Sequence, residues 1–403
     1  MTGPRPRVLV LGTLDTKGEE FQLLRDELCA AGCEPIVLDM GIMGTPLFPG
    51  DIPRETVVER AGRSIESLGG GDRRADAIAS VIAGASAIAR ELYDAGGFAG
   101  IIGMGGGSGT TMSSAVMEEL PFGVPKLIVT TLSRLQPHIR GVDIVVVRSL
   151  VDLVGVNPIT RMHIRQAAGA MAGMVALAPE QTRTGKSVVI TCLGVTTPAV
   201  MRVRELLLAR GKDVIVLHRR THAMDTLLDA GLVEAMLDLT PNEITEGMIY
   251  PPGADDRERL QRVRAEGVPL ILAPGALDML LYFGQCEQRP PELADRVFVV
   301  HSRDATLIRT TVDEQRRLGC VLGAELRHSS GPVAALVPMR GFSMWDASGR
   351  PFDQPEARRA FLDGLLSTAG ETLVLALDHH INDHAFADAV VTTLLDLLGE
   401  ETR

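Results

Sequence analysis

Short apolar runs of strand length alternate with helical patterns along nearly the whole chain of 403 residues. The run at 7–12 predicts a buried strand, an apolar periodicity over 19–31 predicts a helix, and the run at 34–39 predicts a second strand. A strand, a helix and a strand in this order form a βαβ unit, whose right-handed crossover makes the two strands parallel. The pattern therefore predicts an α/β protein.

The same pattern starts again after a polar, helix-poor segment at 181–186. A strand, a helix and a strand follow each other over 187–218, either as an internal duplication or as the ordinary likeness of two βαβ units. Because single cores stop growing at ~250–300 residues, we predict two domains, 1–183 and 184–403. Each is expected to be a Rossmann-like parallel-sheet subdomain with helices on both faces, with a ligand-binding cleft between the two domains.

Composition excludes several classes of protein. The net charge is -11 and aromatic residues make up 3% of the chain, whereas nucleic-acid binding requires a basic face and aromatic stacking platforms. The longest run of small and apolar residues, 167–178, is shorter than the ~20 residues that span a bilayer. With no secretory leader before the first strand and five scattered cysteines, we expect a soluble cytoplasmic protein without disulfides.

A glycine-rich loop at 103–111 follows the predicted strand 98–104 and precedes a helix predicted to begin near Thr110. Glycines let backbone N–H groups approach an anion closely, and a helix N-terminus adds unsatisfied donors, so the loop is typical of a phosphate site. Ser108, Thr110 and Thr111 add hydroxyls. The alternative is a tight turn that needs positive φ. The glycine spacing matches neither a Walker A motif nor a dinucleotide fingerprint, which disfavours a nicotinamide dehydrogenase.

A second loop, 12–20, follows the first predicted strand and contains Lys17, one of only four lysines against 36 arginines. A compact ammonium suits a β- or γ-phosphate, and Asp15 suits a magnesium ion or a ligand hydroxyl. The alternative is a capping box, with Thr16 or Asp15 as the N-cap and Glu19 as its partner. Both interpretations can hold at once.

The two loops together predict one phosphate site. Asp39, at the end of the second strand, stands where acids that bind a ribose often stand. The residues predicted to bind the ligand are Thr13, Asp15, Thr16, Lys17, Gly18, Asp39, Gly105, Gly106, Gly107, Ser108, Gly109, Thr110 and Thr131.

Polar residues elsewhere are weaker candidates for chemistry. Asp143 is placed by the pattern near a strand end, and Arg340 could anchor an anionic substrate, so both join Lys17 and Asp15 as catalytic candidates. The cluster at 378–384 holds three histidines and two aspartates, which suit either a metal or the N-cap of the last helix. A helix rich in small residues over 160–176 favours close packing, and from it we expect a homodimer.

Several of these segments resemble the ATP-binding domain family of the tomato mosaic virus resistance protein, which includes stand-alone bacterial members of this size. The matching segments cover nearly the whole chain in order and are 12–20, 103–111, 167–174, 194–198, 274–279, 310–311, 339–341 and 380–388. One segment departs from the family: relatives tend to carry a glycine-rich run after His218, where this chain has 219–224 without glycine.

The resemblance implies ATP, together with Mg²⁺, as the ligand of the first domain. It favours an ATP-dependent enzyme that acts on a small carboxylate or carbonyl metabolite by phosphoryl or adenylyl transfer. The second domain would present the substrate, and the altered segment after His218 puts the identity of that substrate in doubt. The alternative is a nucleotide-sensing module that binds a protein partner without catalysis, since the plant relative acts by binding a viral replication protein.

Overall fold

The computed structural model describes residues 4–68, 74–135, 139, 143–177, 185–218, 223–250, 257–284 and 286–400. The chain divides into two compact units, Met1–Thr182 and Arg183–Arg403. Each unit contains a parallel sheet with helices on both faces, so the predicted α/β class with two Rossmann-like sheets is confirmed.

The first unit is built on a five-stranded parallel sheet. Its strands are β1 (Arg7–Gly12), β2 (Glu34–Asp39), β3 (Gly100–Gly105), β4 (Lys126–Thr130) and β5 (Ile144–Arg148), in the spatial order β2-β1-β3-β4-β5. Its helices are α1 (Gly18–Ala30), α2 (Arg54–Arg60), α3 (Arg74–Asp94), α4 (Gly107–Glu118) and α5 (Pro158–Ala176). Helices α1 and α5 cover one face of the sheet, and α2, α3 and α4 cover the other.

Strand order fixes where a ligand can enter this unit. The chain runs from β1 outward to β2 and then returns past β1 to β3. The connections therefore diverge between β1 and β3, whose residues Leu11 and Gly103 are paired in register. In open α/β sheets this divergence leaves a crevice outside the carboxyl ends of the strands.

The second unit contains a six-stranded parallel sheet in the order β14-β13-β9-β8-β6-β7 and a three-stranded antiparallel sheet in the order β10-β12-β11. Its strands are β6 (Ser187–Cys192), β7 (Asp213–His218), β8 (Val233–Asp238), β9 (Leu270–Leu272), β10 (Met279–Phe283), β11 (Phe298–Ser302), β12 (Ala305–Arg309), β13 (Val333–Pro338) and β14 (Leu373–Leu377). Its helices are α6 (Thr197–Leu208), α7 (Ala223–Asp229), α8 (Glu243–Ile249), α9 (Glu258–Ala265), α10 (Pro291–Ala294), α11 (Val312–Arg327), α12 (Pro355–Thr368) and α13 (His384–Leu398).

The antiparallel sheet and strand β8 were not expected from the sequence. Strand β11 has an apolar run that is typical of a strand, but it pairs antiparallel with β12 and does not join the parallel sheet. The polar residues of β8 and β12 broke the continuous apolar run that marks a buried parallel strand. Buried strands with mixed composition are therefore the ones that sequence patterns miss.

Candidate functional site

A cavity of about 270 Å³ lies at the carboxyl ends of β1 and β3, at the divergence of the chain connections. The two loops predicted to bind phosphate, 12–20 and 103–111, both contribute residues to the lining of this cavity. The lining residues are Thr13, Asp15, Thr16, Lys17, Met40, Ile42, Met43, Ile78, Gly106, Gly107, Ser108, Gly109 and Met112. The structure thus brings the two loops together at one pocket.

Helix α4 begins inside the glycine-rich loop. Its N-cap is Gly106, no side chain caps it, and residues 107–109 form its first turn. The first four N–H groups of any helix lack partners within the helix, so this turn presents free donors to the pocket that its residues line. The helix starts at Gly107 and not near Thr110 as expected, because low glycine propensity made these residues look like loop.

Close packing explains the glycines behind this turn. A Cβ on Gly105 would lie 2.9 Å from the Cα of Gly109, so the strand end and the helix turn approach each other only without side chains. Thr110 is fully buried, and its hydroxyl lies 2.6 Å from that of Thr130. Thr131 packs behind Gly106, where an added Cβ would lie 3.6 Å from its Oγ1. These threonines support the turn from outside the pocket lining.

Helix α1 also begins at the pocket, directly after Lys17. Lys17 is the N-cap residue, and no side chain caps the helix, so the capping box through Thr16 or Asp15 is not formed. Lys17 is one of the pocket-lining residues, and its ammonium donates a hydrogen bond to the carbonyl of Leu153, which lies outside the lining. Gly18 follows it, and an added Cβ there would lie 2.3 Å from the Cβ of Leu47. The first turn of α4 and Lys17, the N-cap residue of α1, therefore line the same cavity.

Asp15 and Asp39 connect the loops that follow β1 and β2. Asp39 is 1% exposed, and its carboxylate accepts hydrogen bonds from the N–H groups of Leu14 and Gly41. Burial raises the pKa of Asp39, while those two N–H groups lower it. Asp15 accepts from the N–H groups of Met43 and Gly44. The Asp39 carboxylate thus has two backbone N–H partners, and Asp39 is not one of the pocket-lining residues.

Apolar side chains form a further part of the pocket lining, here called the apolar wall, which no sequence motif predicts. Its residues come from the segment after β2 and from helices α3 and α4, and they are Met40, Ile42, Met43, Ile78 and Met112. Methionine and isoleucine are ordinary core residues, so no motif marks them. Only the strand order that brings β2, β1 and β3 side by side could have predicted them together.

Asp143 lies at the other end of the sheet from the pocket. It immediately precedes β5, and its carboxylate pairs at 2.6 Å with the ammonium of Lys126, the first residue of β4 and 1% exposed. In a parallel sheet the amino ends of all strands share one edge, opposite the edge that carries ligands. The structure therefore assigns Asp143 to a buried ion pair, and we remove it from the proposed catalytic residues.

In the second unit, Arg340 forms a two-pronged ion pair with Asp378, with nitrogen–oxygen distances of 2.8 and 2.7 Å, and both side chains are exposed. His380 is held by the carbonyl of Ser343 at 2.9 Å and by the N–H group of Asn382 at 3.1 Å. Across the residues that the structure describes, no three histidine, cysteine or acidic side chains form a group that could hold a metal ion. The segment 219–222 lies outside the described residues.

The second unit also buries a network of acids and arginines. Asp278 accepts from the hydroxyl of Ser343 at 2.7 Å, and Asp346 accepts from Arg358 at 2.7 Å. Burial raises the pKa of Asp278 to about 7, and the nearby Asp346 carboxylate adds to the rise. Both aspartates are 0% exposed, so the network lies in the interior of the unit.

Among the described helices, none is both long and apolar enough to cross a membrane.

Comparisons with known proteins agree over both units. Residues 6–180 match the model of the "Uncharacterised protein family (UPF0261) N-terminal domain", and residues 185–398 match the C-terminal domain of the same family. A UPF0261 protein of Clostridium tetani is 34% identical over 97% of this chain and 99% of its own length. One of Rhizobium meliloti is 35% identical over 97% of this chain and 99% of its own length.

A plant protein shows the same likeness. The ToMV resistance protein Tm-1(GCR237) of Solanum lycopersicum is 30% identical over 97% of this chain, which corresponds to 56% of that protein. Among solved structures, a UDP-N-acetylglucosamine 2-epimerase is 10% identical over 99% of this chain and 98% of its own, with a TM-score of 0.21 that supports no argument. On the family models and the relatives, this chain belongs to the UPF0261 family.

Proposed function

We propose that the first unit binds ATP in the pocket between β1 and β3. The observation that carries the proposal is that the uncapped N-terminus of α4 and the loop that ends at Lys17 line one cavity. A helix N-terminus offers free N–H donors and about half a positive charge, so the start of α4 together with a lysine in the same lining favours a negatively charged ligand. The triphosphate of a nucleotide is such a ligand.

The rest of the pocket suits the nucleoside. The pocket lining combines these methionines and isoleucines with a glycine turn, and such apolar side chains pack well against the flat face of a base. A cavity of about 270 Å³ is slightly smaller than typical ligand pockets of ~300–1,000 Å³, so part of the nucleotide would extend beyond it.

A magnesium ion would enter with the phosphates. The oxygens that the pocket lining offers it are the hydroxyls of Thr13, Thr16 and Ser108. Mg²⁺ keeps several waters and binds proteins through few ligands when phosphates supply the others, so this hydroxyl set fits it. When bound, the ion would neutralise phosphate charge.

Isothermal titration calorimetry of the full chain tests the proposal. ATP should bind with Mg²⁺, and adenosine should bind more weakly because it lacks the groups that meet Lys17 and the helix starts. Binding of NAD without binding of ATP would refute the proposal.

ATP consumption separates two extensions of this proposal. An ATP-dependent enzyme would raise its turnover of ATP when given its small carboxylate or carbonyl substrate, by phosphoryl or adenylyl transfer. A nucleotide-sensing module would bind ATP and leave it intact. Following ATP hydrolysis across a panel of small carboxylates and carbonyl compounds distinguishes the two.

A further inference from the structure

The loops after β1 and β2 brace each other through two carboxylates. Asp39, at the end of β2, accepts from the N–H of Leu14 at 3.2 Å in the loop after β1. Asp15, in the loop after β1, accepts from the N–H groups of Met43 at 2.6 Å and Gly44 at 3.1 Å in the loop after β2. The acid at the end of β2 thus holds the loop after β1, and the acid in the loop after β1 holds the loop after β2.

Asp15 offers no free oxygen to a cation in the pocket. Its Oδ2 receives two backbone N–H groups, and its Oδ1 is sealed from solvent without a hydrogen-bond partner. A Cβ on Gly41 would lie 2.7 Å from the Asp15 Cγ, so the loop after β2 closes directly over the carboxylate. A magnesium ligand would need an accessible oxygen aimed at the phosphates.

The loop that Asp15 holds forms part of the apolar wall. Ile42 and Met43 line the pocket, and Met43 is the residue whose N–H binds Asp15. Met43 is 65% exposed, so its side chain makes few packing contacts, and the backbone here is held by Asp15 and by the Arg54 guanidinium, which donates to the carbonyl of Gly44. Further along, the N–H of Leu47 donates to the carbonyl of Leu14 at 3.0 Å. Releasing Asp15 would therefore remove two of the hydrogen bonds that fix the backbone at Met43 and Gly44, and would leave the start of α4 in place.

We propose that Asp15 is a positioning residue that makes the pocket select a nucleotide over a bare polyphosphate, by fixing the loop that carries Ile42 and Met43 against the nucleoside. This inference rests on the proposed nucleotide site and assigns to Asp15 a task other than metal binding. The phosphates meet the helix starts and Lys17, and the nucleoside meets the wall that Asp15 fixes.

Calorimetry with ATP and with inorganic tripolyphosphate, each with and without Mg²⁺, tests the assignment. Asp15→Ala should raise the Kd of ATP about tenfold and that of tripolyphosphate less than about threefold, because only ATP uses the wall. Asp15→Asn keeps an oxygen that accepts both N–H groups, so it should retain ATP binding within about threefold and keep the same Mg²⁺ dependence. Asp26→Ala, an exposed change on α1, is the matched control for lost charge.

Equal losses of affinity for ATP and tripolyphosphate in Asp15→Ala would overturn the inference, and so would ATP binding that no longer depends on Mg²⁺ in Asp15→Asn. Either result would make Asp15 a phosphate or metal contact. Wild-type protein that binds neither ligand would remove the nucleotide site itself, and the inference with it.

Hydrogen exchange keeps the inference testable even if Asp15→Ala fails to fold. In the wild type, ATP should slow amide exchange over 41–47, while tripolyphosphate should leave that segment unchanged. The same protection by both ligands, or by neither, would contradict a wall that responds to the nucleoside.

Discussion

Gly107 allows the pocket to be changed without straining the fold. It is the first residue of α4 and lines the pocket, and a Cβ added there would meet no atom within 4 Å. Its φ is not positive, so alanine fits the backbone. Gly107→Ala should therefore leave the stability of the empty protein equal or raised by up to about 1 kcal/mol, from helix propensity.

Because Gly107 lines the pocket and an added Cβ would meet open space, we expect the new methyl group to hinder an anion that approaches the first turn of α4. A hydrogen bond to a charged group contributes about 1.5–3 kcal/mol. Losing one such bond should raise the Kd of ATP about tenfold to 150-fold. At an ATP concentration of about 100 times the wild-type Kd, the ligand stabilises the wild type by about 2.7 kcal/mol, and a variant with tenfold weaker binding by about 1.4 kcal/mol.

Calorimetry gives the two Kd values, and thermal melts with and without ATP give the two stabilisations. Gly169→Ala is the matched control, because Gly169 lies exposed on α5 with no atom within 4 Å of an added Cβ and outside the pocket lining. It should leave the Kd unchanged. A folded Gly107→Ala protein whose Kd for ATP stays within about twofold of the wild type would refute the placement of the phosphates at α4.

Three further predictions test separate parts of the account. Lys17→Ala should raise the Kd of ATP about tenfold or more and leave the Kd of adenosine nearly unchanged. Equal losses of affinity for both ligands in a binding titration would refute the role of Lys17 as a phosphate ligand. Asp143→Ala should lower the free energy of unfolding by about 3 kcal/mol in denaturant titrations, by stranding the buried Lys126 ammonium, and a changed ATP affinity would contradict its place at the far edge. Asp278 binds its proton more tightly when folded, with its pKa raised from 3.8 to about 7. The free energy of unfolding of the wild type should therefore fall by roughly 4 kcal/mol relative to that of Asp278→Asn as the pH rises from about 4 to 7. Parallel pH profiles of the two proteins would contradict a raised pKa of Asp278.

The fold was predictable where a strand was a continuous apolar run. Strands such as β1, β3 and β13 are buried on both faces of a parallel sheet, which requires apolar residues at successive positions. Strand β8 carries Glu234 and Asp238, and its burial depends on partners distant in sequence, such as the Arg259 that pairs with Asp238 at 2.9 Å. Such pairings cannot be derived from local pattern.

The candidate site was predictable in its loops and not in its wall. Glycines near the start of a helix and a rare lysine after a strand are local signals. From them we predicted that the loops of Lys17 and Gly107 share one site, and both residues line the same pocket. Met40 and Ile78 also line this pocket, but predicting them would have required knowledge of the strand order. Asp143 shows the opposite error, since a polar residue at a strand end looks the same in sequence whether it precedes or follows the strand. Whether such a residue can contact a ligand depends on which end of the strand carries it, because ligands bind at the carboxyl ends.

A crystal structure of the full chain with a non-hydrolysable ATP analogue and Mg²⁺ tests the central claim most directly. The account predicts phosphate oxygens about 3 Å from the backbone N–H groups of residues 107–109 and from the Lys17 ammonium, with the base against Met43 and Met112. Phosphates bound elsewhere on the chain, with the turn at 107–109 left without a ligand, would contradict it.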